Sequence, residues 1–218
     1  MTKEQRNIDY LRFFEQVEVS KQYMDIQPYF GVSHCVYYEL IGYMIRLCRN
    51  SQTNCFIECY EFYLLTIYYE NLTIATERLQ CILHSNGIYY NDTVVRICLK
   101  TFIIYKTWIG CQMERQAILL IKDKDFYCIH ANRNYDIYNG IDLFCVYQGK
   151  WAFAIQVKSD SYRENETDKR RIQKFVNRYH LPVIYLKYDR HTKRFPSDEL
   201  EKVEKIKKNI RDNGKAGI

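Results

Sequence analysis

The stretch that most constrains the fold is residues 138–159, Tyr-Asn-Gly-Ile-Asp-Leu-Phe-Cys-Val-Tyr-Gln-Gly-Lys-Trp-Ala-Phe-Ala-Ile-Gln-Val-Lys-Ser. Two apolar runs, residues 141–147 and 151–157, flank Gln148-Gly149-Lys150 and predict a β-hairpin. Three polar residues interrupt it: Asp142 near the start of the first strand, and Gln156 and Lys158 at the end of the second. Side chains alternate along a strand, so Gln156 and Lys158 share a face with Ala152 and Ala154, while Trp151, Phe153, Ile155 and Val157 point the other way. One face is bulky. The other is small and then abruptly polar, which leaves room for a ligand.

Pairing parity decides whether Asp142 joins that polar face. A regular hairpin closed by a two-residue Gln148-Gly149 turn sets Asp142 opposite Ile155, facing away from Gln156 and Lys158. A three-residue Gln148-Gly149-Lys150 loop, or a β-bulge between Asp142 and Gln156, sets Asp142 across from Gln156. A shared site therefore requires an odd-length turn or a bulge. With that condition met, an acid, a second oxygen donor and a lysine at the end of a buried strand make a Mg²⁺ site. The ion neutralises charge at phosphorus, and a neighbouring ammonium orients water or steadies the phosphate. The plainer reading is a hairpin whose strand ends reach solvent, where Lys and Gln are common.

The sequence Gly140-Ile141-Asp142, followed by Ile155-Gln156-Val157-Lys158-Ser159, resembles the PD-(D/E)xK nuclease superfamily, which has the restriction-endonuclease-like fold. Ile141 stands at the motif's proline. Gln156 stands where an acid is usual, so the site has one negative charge fewer although the amide oxygen can still ligate. The resemblance implies a Mg²⁺-dependent DNA endonuclease, foremost a type II restriction enzyme that acts on double-stranded DNA as a homodimer. Asp142, Gln156 and the Val157 carbonyl would hold the metal, Glu114 would add a ligand directly or through water, and Lys158 would position the attacking water. A Holliday-junction, repair or transposon-end nuclease of the same fold is the alternative within the enzyme class. From a different class comes a nucleic-acid-binding protein whose metal site has decayed, a reading that Gln156 keeps open.

Glu114 also stands out without the resemblance. Residues 92–122 predict one long helix or two joined near Gly110, with Thr107, Cys111, Glu114, Ile118 and Ile121 on one stripe. A glutamate in an apolar stripe costs stability unless a cation compensates it. Pairing with Arg115 or Lys122 at the rim is the other account.

After the hairpin come a polar loop over 159–167, a helix over 168–179, a strand over 181–187 and an amphipathic helix from Pro196-Ser197 to Gly214. The last strand returns parallel to the second hairpin strand by a right-handed crossover. With a first strand over 125–130, the order helix, three strands, helix, strand, helix agrees with the restriction-endonuclease-like core. Ser159, Ser161, Tyr162 and Arg163, together with Lys169, Arg170, Arg171 and Lys174 of the basic helix, are candidates for DNA contacts.

The first half reads as helices over 4–19, 34–48, 55–69 and 72–84, with a loop over 25–33 and a break over 49–54. Its tyrosines (37, 38, 43, 60, 63, 68 and 69) suit helix packing and a protein interface better than base stacking, because this half is acidic. Residues 1–97 hold 8 Lys/Arg against 11 Asp/Glu, and residues 98–218 hold 24 against 15. The basic half is the one with the hairpin, as a polyanionic substrate requires. The fold class is thus mixed α/β: a helical region over 1–97 and a nuclease-type core over 98–218. Nine cysteines without paired metal spacing read as free thiols of a cytoplasmic protein. The polar N-terminus is unlike a signal peptide, and no apolar run is long enough for a membrane span.

Overall fold

The computed structural model describes residues 1–30, 34–50, 55–66, 69–132 and 134–213; the side chains of 34–39, 65–70, 137, 138 and 213 are outside that description. The protein is mixed α/β and divides into two compact units, Met1–Gln112 and Met113–Ile218. None of the described helices is long and apolar enough to cross a membrane.

The first unit is helical: α1 (Lys3–Glu18), α2 (Lys21–Ile26), a 3₁₀ turn (Gln27–Tyr29), α3 (His34–Asn50), α4 (Phe56–Thr66), α5 (Tyr69–Ser85) and α6 (Asp92–Lys100). A π turn (Thr101–Tyr105) then leads into α7 (Lys106–Lys122), within which the two units divide. Side-chain caps set the starts, Thr2 accepting from the Gln5 N–H at 3.2 Å and Asn91 from the Val94 N–H at 2.9 Å. Residues 25–33 are not simply a loop. Ser20 caps α2 by accepting from the Tyr23 N–H, so helix continues through Ile26. Nor is there a joint at Gly110: the irregularity is the π turn, where the Thr101 hydroxyl donates to the Ile97 carbonyl at 2.9 Å. Arg49 and Asn50 extend α3 into the expected break; residues 51–54, like 31–33, lie outside the described residues. Phe14, Phe56 and Tyr105 form the centre of an aromatic core. Tyr60 and Tyr63 are buried in it and Tyr43 packs at its margin, while the side chains of Tyr37, Tyr38, Tyr68 and Tyr69 lie outside the description. The described cysteines are free.

The second unit carries a four-stranded mixed sheet in the order β1 (Tyr127–His130), β2 (Leu143–Tyr147), β3 (Lys150–Ser159), β4 (Val183–Tyr188). β1, β2 and β3 are antiparallel, and β4 is parallel to β3 by way of α8 (Glu166–Tyr179). A π turn (Tyr135–Asn139) lies between β1 and β2. Helix α9 (Ser197–Asn213) buries Val203 and Ile206, and Lys207 reaches Asp125 at 2.7 Å; Gly214 lies outside the described residues. β3 is covered on both faces from Ala152 to Val157.

The hairpin carries a bulge, one of the two devices that parity allows. Gln148 and Gly149 both have positive φ (49° and 79°), and Tyr147 pairs with Lys150 across a two-residue turn of the I′ kind. The three-residue loop does not form, because Gln148 and Gly149 together supply the twist the strands need. Val146 then pairs with Trp151 but Cys145 with Phe153, leaving Ala152 as the extra residue. Beyond the bulge the register matches Leu143 with Ile155, and the ladder ends there; Asp142 lies just outside it, its N–H donating to the Ile155 carbonyl at 2.9 Å. The bulge also reverses one sequence expectation. Trp151 does not share the Phe153 and Ile155 face; it packs edge-on against Phe144, which pairs with Ala154 on the opposite side.

Candidate active site

Asp142 ends the irregular approach to β2, and its backbone stitches three strands. Its carbonyl accepts from the Ala131 N–H at 2.8 Å, and its N–H donates to the Ile155 carbonyl at 2.9 Å. Its carboxylate crosses to β3, where Oδ2 accepts from the Val157 N–H at 2.6 Å. The acid is therefore oriented by main chain on both sides. Val157, whose carbonyl the resemblance offers as a ligand, serves Asp142 through its N–H.

Gln156 lies between the Ile155 and Val157 groups that Asp142 uses, and it is 2% exposed. Its Oε1 is buried without a hydrogen-bond partner, which is costly for an amide. Its Nε2 lies against Gly140, which is left-handed at φ 66° and ends the π turn; a Cβ there would meet Nε2 at 2.7 Å. Gly140 is thus required both by backbone conformation and by space. Gly140→Ala is expected to cost about 1–3 kcal/mol more than Gly149→Ala in urea unfolding. Both positions have positive φ, but nothing lies within 4 Å of a Cβ on Gly149. Equal costs would show that the Gln156 amide yields freely.

Glu114, on α7, has a side chain 14% exposed, and its Oε2 lies 3.1 Å from His130 Nδ1 at the end of β1. The two atoms are within ion-pair range without hydrogen-bond alignment. Burial first, and then the Glu114 charge, push the Asp142 carboxyl well above the ordinary carboxylate range, and Asp136 adds to this. The Val157 N–H and the Lys158 ammonium pull it back without cancelling the rise. Two acids that repel each other, with an orphaned amide oxygen between strand ends, fit a hard divalent cation, which takes oxygen donors and relieves both costs. The donor set is lean: among the described residues no group of three or more His, Cys, Asp or Glu is arranged to hold a metal ion.

Lys158 stands two residues along β3 from Gln156, with its Nζ 5.1 Å from the centre of the Tyr162 ring. The other DNA-contact candidates fall into two groups. Ser159 and Ser161 bond to each other at 3.1 Å, Lys169 pairs with Glu166, and Arg171 turns inward to Asp168 and to the Asp136 carbonyl. Arg163, Arg170 and Lys174 are exposed, and Arg178 continues the Arg170–Lys174 stripe one helical turn on. Three participants had no distinctive sequence signal: His130, Asp136 and Asp168. Only the fold brings them to the hairpin end.

No family model matches the chain, and neither the curated proteins nor the solved structures contain a match to it.

Proposed function

We propose that the chain is a Mg²⁺-dependent DNA endonuclease with a restriction-endonuclease-like core. The observation that carries this reading is the Asp142 carboxylate reaching across to the Val157 N–H of β3, next in sequence to Gln156, whose buried oxygen lacks a partner, with Lys158 two residues beyond Gln156. The element order α7, β1, β2, β3, α8, β4, with three antiparallel strands and a parallel fourth, supports it. Asp142, Glu114 and the Gln156 oxygen would hold the ion, which when bound supplies Lewis-acid neutralisation of phosphate charge. The protein's own part is electrostatic and positional. The Lys158 ammonium orients the attacking water and stabilises negative charge at the phosphate. Arg170, Lys174 and Arg178 hold flanking phosphates from the outer face of α8. A type II restriction activity on double-stranded DNA, by a homodimer, is the specific form proposed.

The lean donor set favours a second reading, a nucleic-acid-binding protein on the same fold. Incubating the purified protein with plasmid DNA and Mg²⁺, beside an EDTA control, separates the two. Discrete Mg²⁺-dependent fragments are expected; a smear indicates a nonspecific nuclease, and intact plasmid with retained DNA binding indicates the second reading. Lys158→Ala is expected to fold normally and to lower cleavage about 10²–10³-fold. Near wild-type cutting by this variant would remove the site.

A further inference from the structure

A lysine side chain is a flexible four-carbon stem, so an ammonium that must act at one point needs something to hold it there. In this site the holder is an aromatic ring that is itself fixed. The Lys158 Nζ lies 5.1 Å from the Tyr162 ring centre, within the range of a cation–π contact. The Tyr162 ring stacks on Tyr185 of β4, with centroids 6.2 Å apart and planes 23° apart. Tyr185 is the register partner of Gln156, so the platform rests on the same rung of the sheet as the amide. The Tyr162 hydroxyl donates to Asp168 Oδ2 in the first turn of α8. Asp168 is held in turn by Asn165 Nδ2 at 3.2 Å and Arg171 Nη1 at 3.5 Å. Arg171 closes the circuit, its Nη2 donating to the Asp136 carbonyl at 3.4 Å in the π turn that ends at Gly140.

We propose that Tyr162 is a positioning residue: its ring, set by Asp168 and Tyr185, holds the Lys158 ammonium at the hairpin end. The catalytic consequence rests on the nuclease reading above; the placement of Lys158 does not. The ring carries the effect and the hydroxyl only orients the ring. Tyr162→Leu should therefore free the lysine, while Tyr162→Phe, which keeps the ring and its stacking, should retain most of the placement. The competing role for Tyr162 is direct contact with nucleic acid, and it makes opposite kinetic predictions.

The experiment has two arms. In the first, lysines are reductively methylated with ¹³C-formaldehyde, and the Lys158 signal is assigned by its absence in Lys158→Arg. Ring current should displace that signal upfield in the wild type and in Tyr162→Phe, and it should return to the solvent-exposed position in Tyr162→Leu. A signal that is undisplaced in the wild type, or equally displaced in Tyr162→Leu, overturns the proposal. In the second arm, cleavage kinetics should show kcat falling about tenfold in Tyr162→Leu with KM little changed, and at most about threefold in Tyr162→Phe. A raised KM with unchanged kcat would assign Tyr162 to nucleic-acid contact and overturn the positioning role. Thermal melts matched to the wild type confirm folding of each variant. An inactive wild type would remove the nuclease reading, and the NMR arm would still decide whether Tyr162 holds Lys158.

Discussion

Asp142→Asn is expected to make the protein more stable and to abolish cleavage. Asparagine keeps an Oδ1 that accepts from the Val157 N–H, so the bridge from Asp142 to β3 survives. It removes the negative charge that burial and Glu114 make costly. At neutral pH without divalent metal, the melting temperature should rise by about 2–6 °C, the effect of relieving about 1–2 kcal/mol in a chain of this size. The pH dependence gives the cause. A carboxyl whose folded pKa is raised binds its proton more tightly in the folded state, so wild-type stability falls as pH rises from the unfolded carboxylate value through the raised folded value. Asparagine lacks this loss. The two proteins should melt together in acid, and their difference should open with rising pH and then level off. Thermal melts from acid to neutral pH in EDTA test this, and a gap independent of pH would mean that the Asp142 charge is not strained. Cleavage should fall by about 10³-fold or more, because both the ion's charge partner and its orientation are lost. Together the two results would mark Asp142 as a residue that sacrifices stability for function.

The hairpin was legible because its chemistry is local. Apolar alternation, a turn bearing Gly149 and the break to Gln156 and Lys158 lie within one short stretch, and strand periodicity turns that stretch into geometry. The condition under which Asp142 faces Gln156, an odd-length turn or a bulge, also followed from parity alone. Which device would meet it did not, because the choice between a loop and a bulge turns on Gln148 joining Gly149 at positive φ, a conformation its residue type does not announce. Trp151 shows the cost of that gap: simple alternation assigned it to the wrong face, since the bulge changes the phase next to it. The π turns at Thr101–Tyr105 and Tyr135–Asn139 were not legible either. The first inserts a residue into the helical ladder between α6 and α7, the second is a single turn between β1 and β2, and neither has a Pro or Gly inside to announce it. His130, Asp136 and Asp168 reach the site from sequence positions far from Gln156, and a side chain's role as someone else's neighbour leaves no periodic trace. Tyr162 was visible as a residue just past the lysine, and its residue type suited nucleic-acid contact. Its engagement with Asp168 and Lys158 emerges only when the loop and α8 are folded together.

Gln156→Glu should convert a stability deficit into a metal response. Gln156 is neutral, and its buried oxygen lacks a partner. A carboxylate at the same place adds a third acid beside Asp142 and Glu114, in a setting where the Asp142 charge is already disfavoured. Without a cation this should cost about 3–5 kcal/mol, the penalty of an uncompensated buried charge, with part recovered if the new acid holds a proton. The variant should therefore melt well below the wild type in EDTA. Magnesium then acts by mass action, stabilising the folded state in proportion to the logarithm of its concentration over Kd. A third carboxylate supplies the charge that Mg²⁺ coordination favours, so the variant should bind more tightly and recover more of its melting temperature than the wild type gains from the same addition. Melting in EDTA and in millimolar Mg²⁺, with calorimetric titration of both proteins, reads the two effects separately. If the wild type and the variant respond equally to Mg²⁺, Gln156 does not face the ion, and its amide only packs against Gly140. If the variant binds more tightly and also cleaves faster, the amide is the element that limits the natural site, and the lean donor set is the reason.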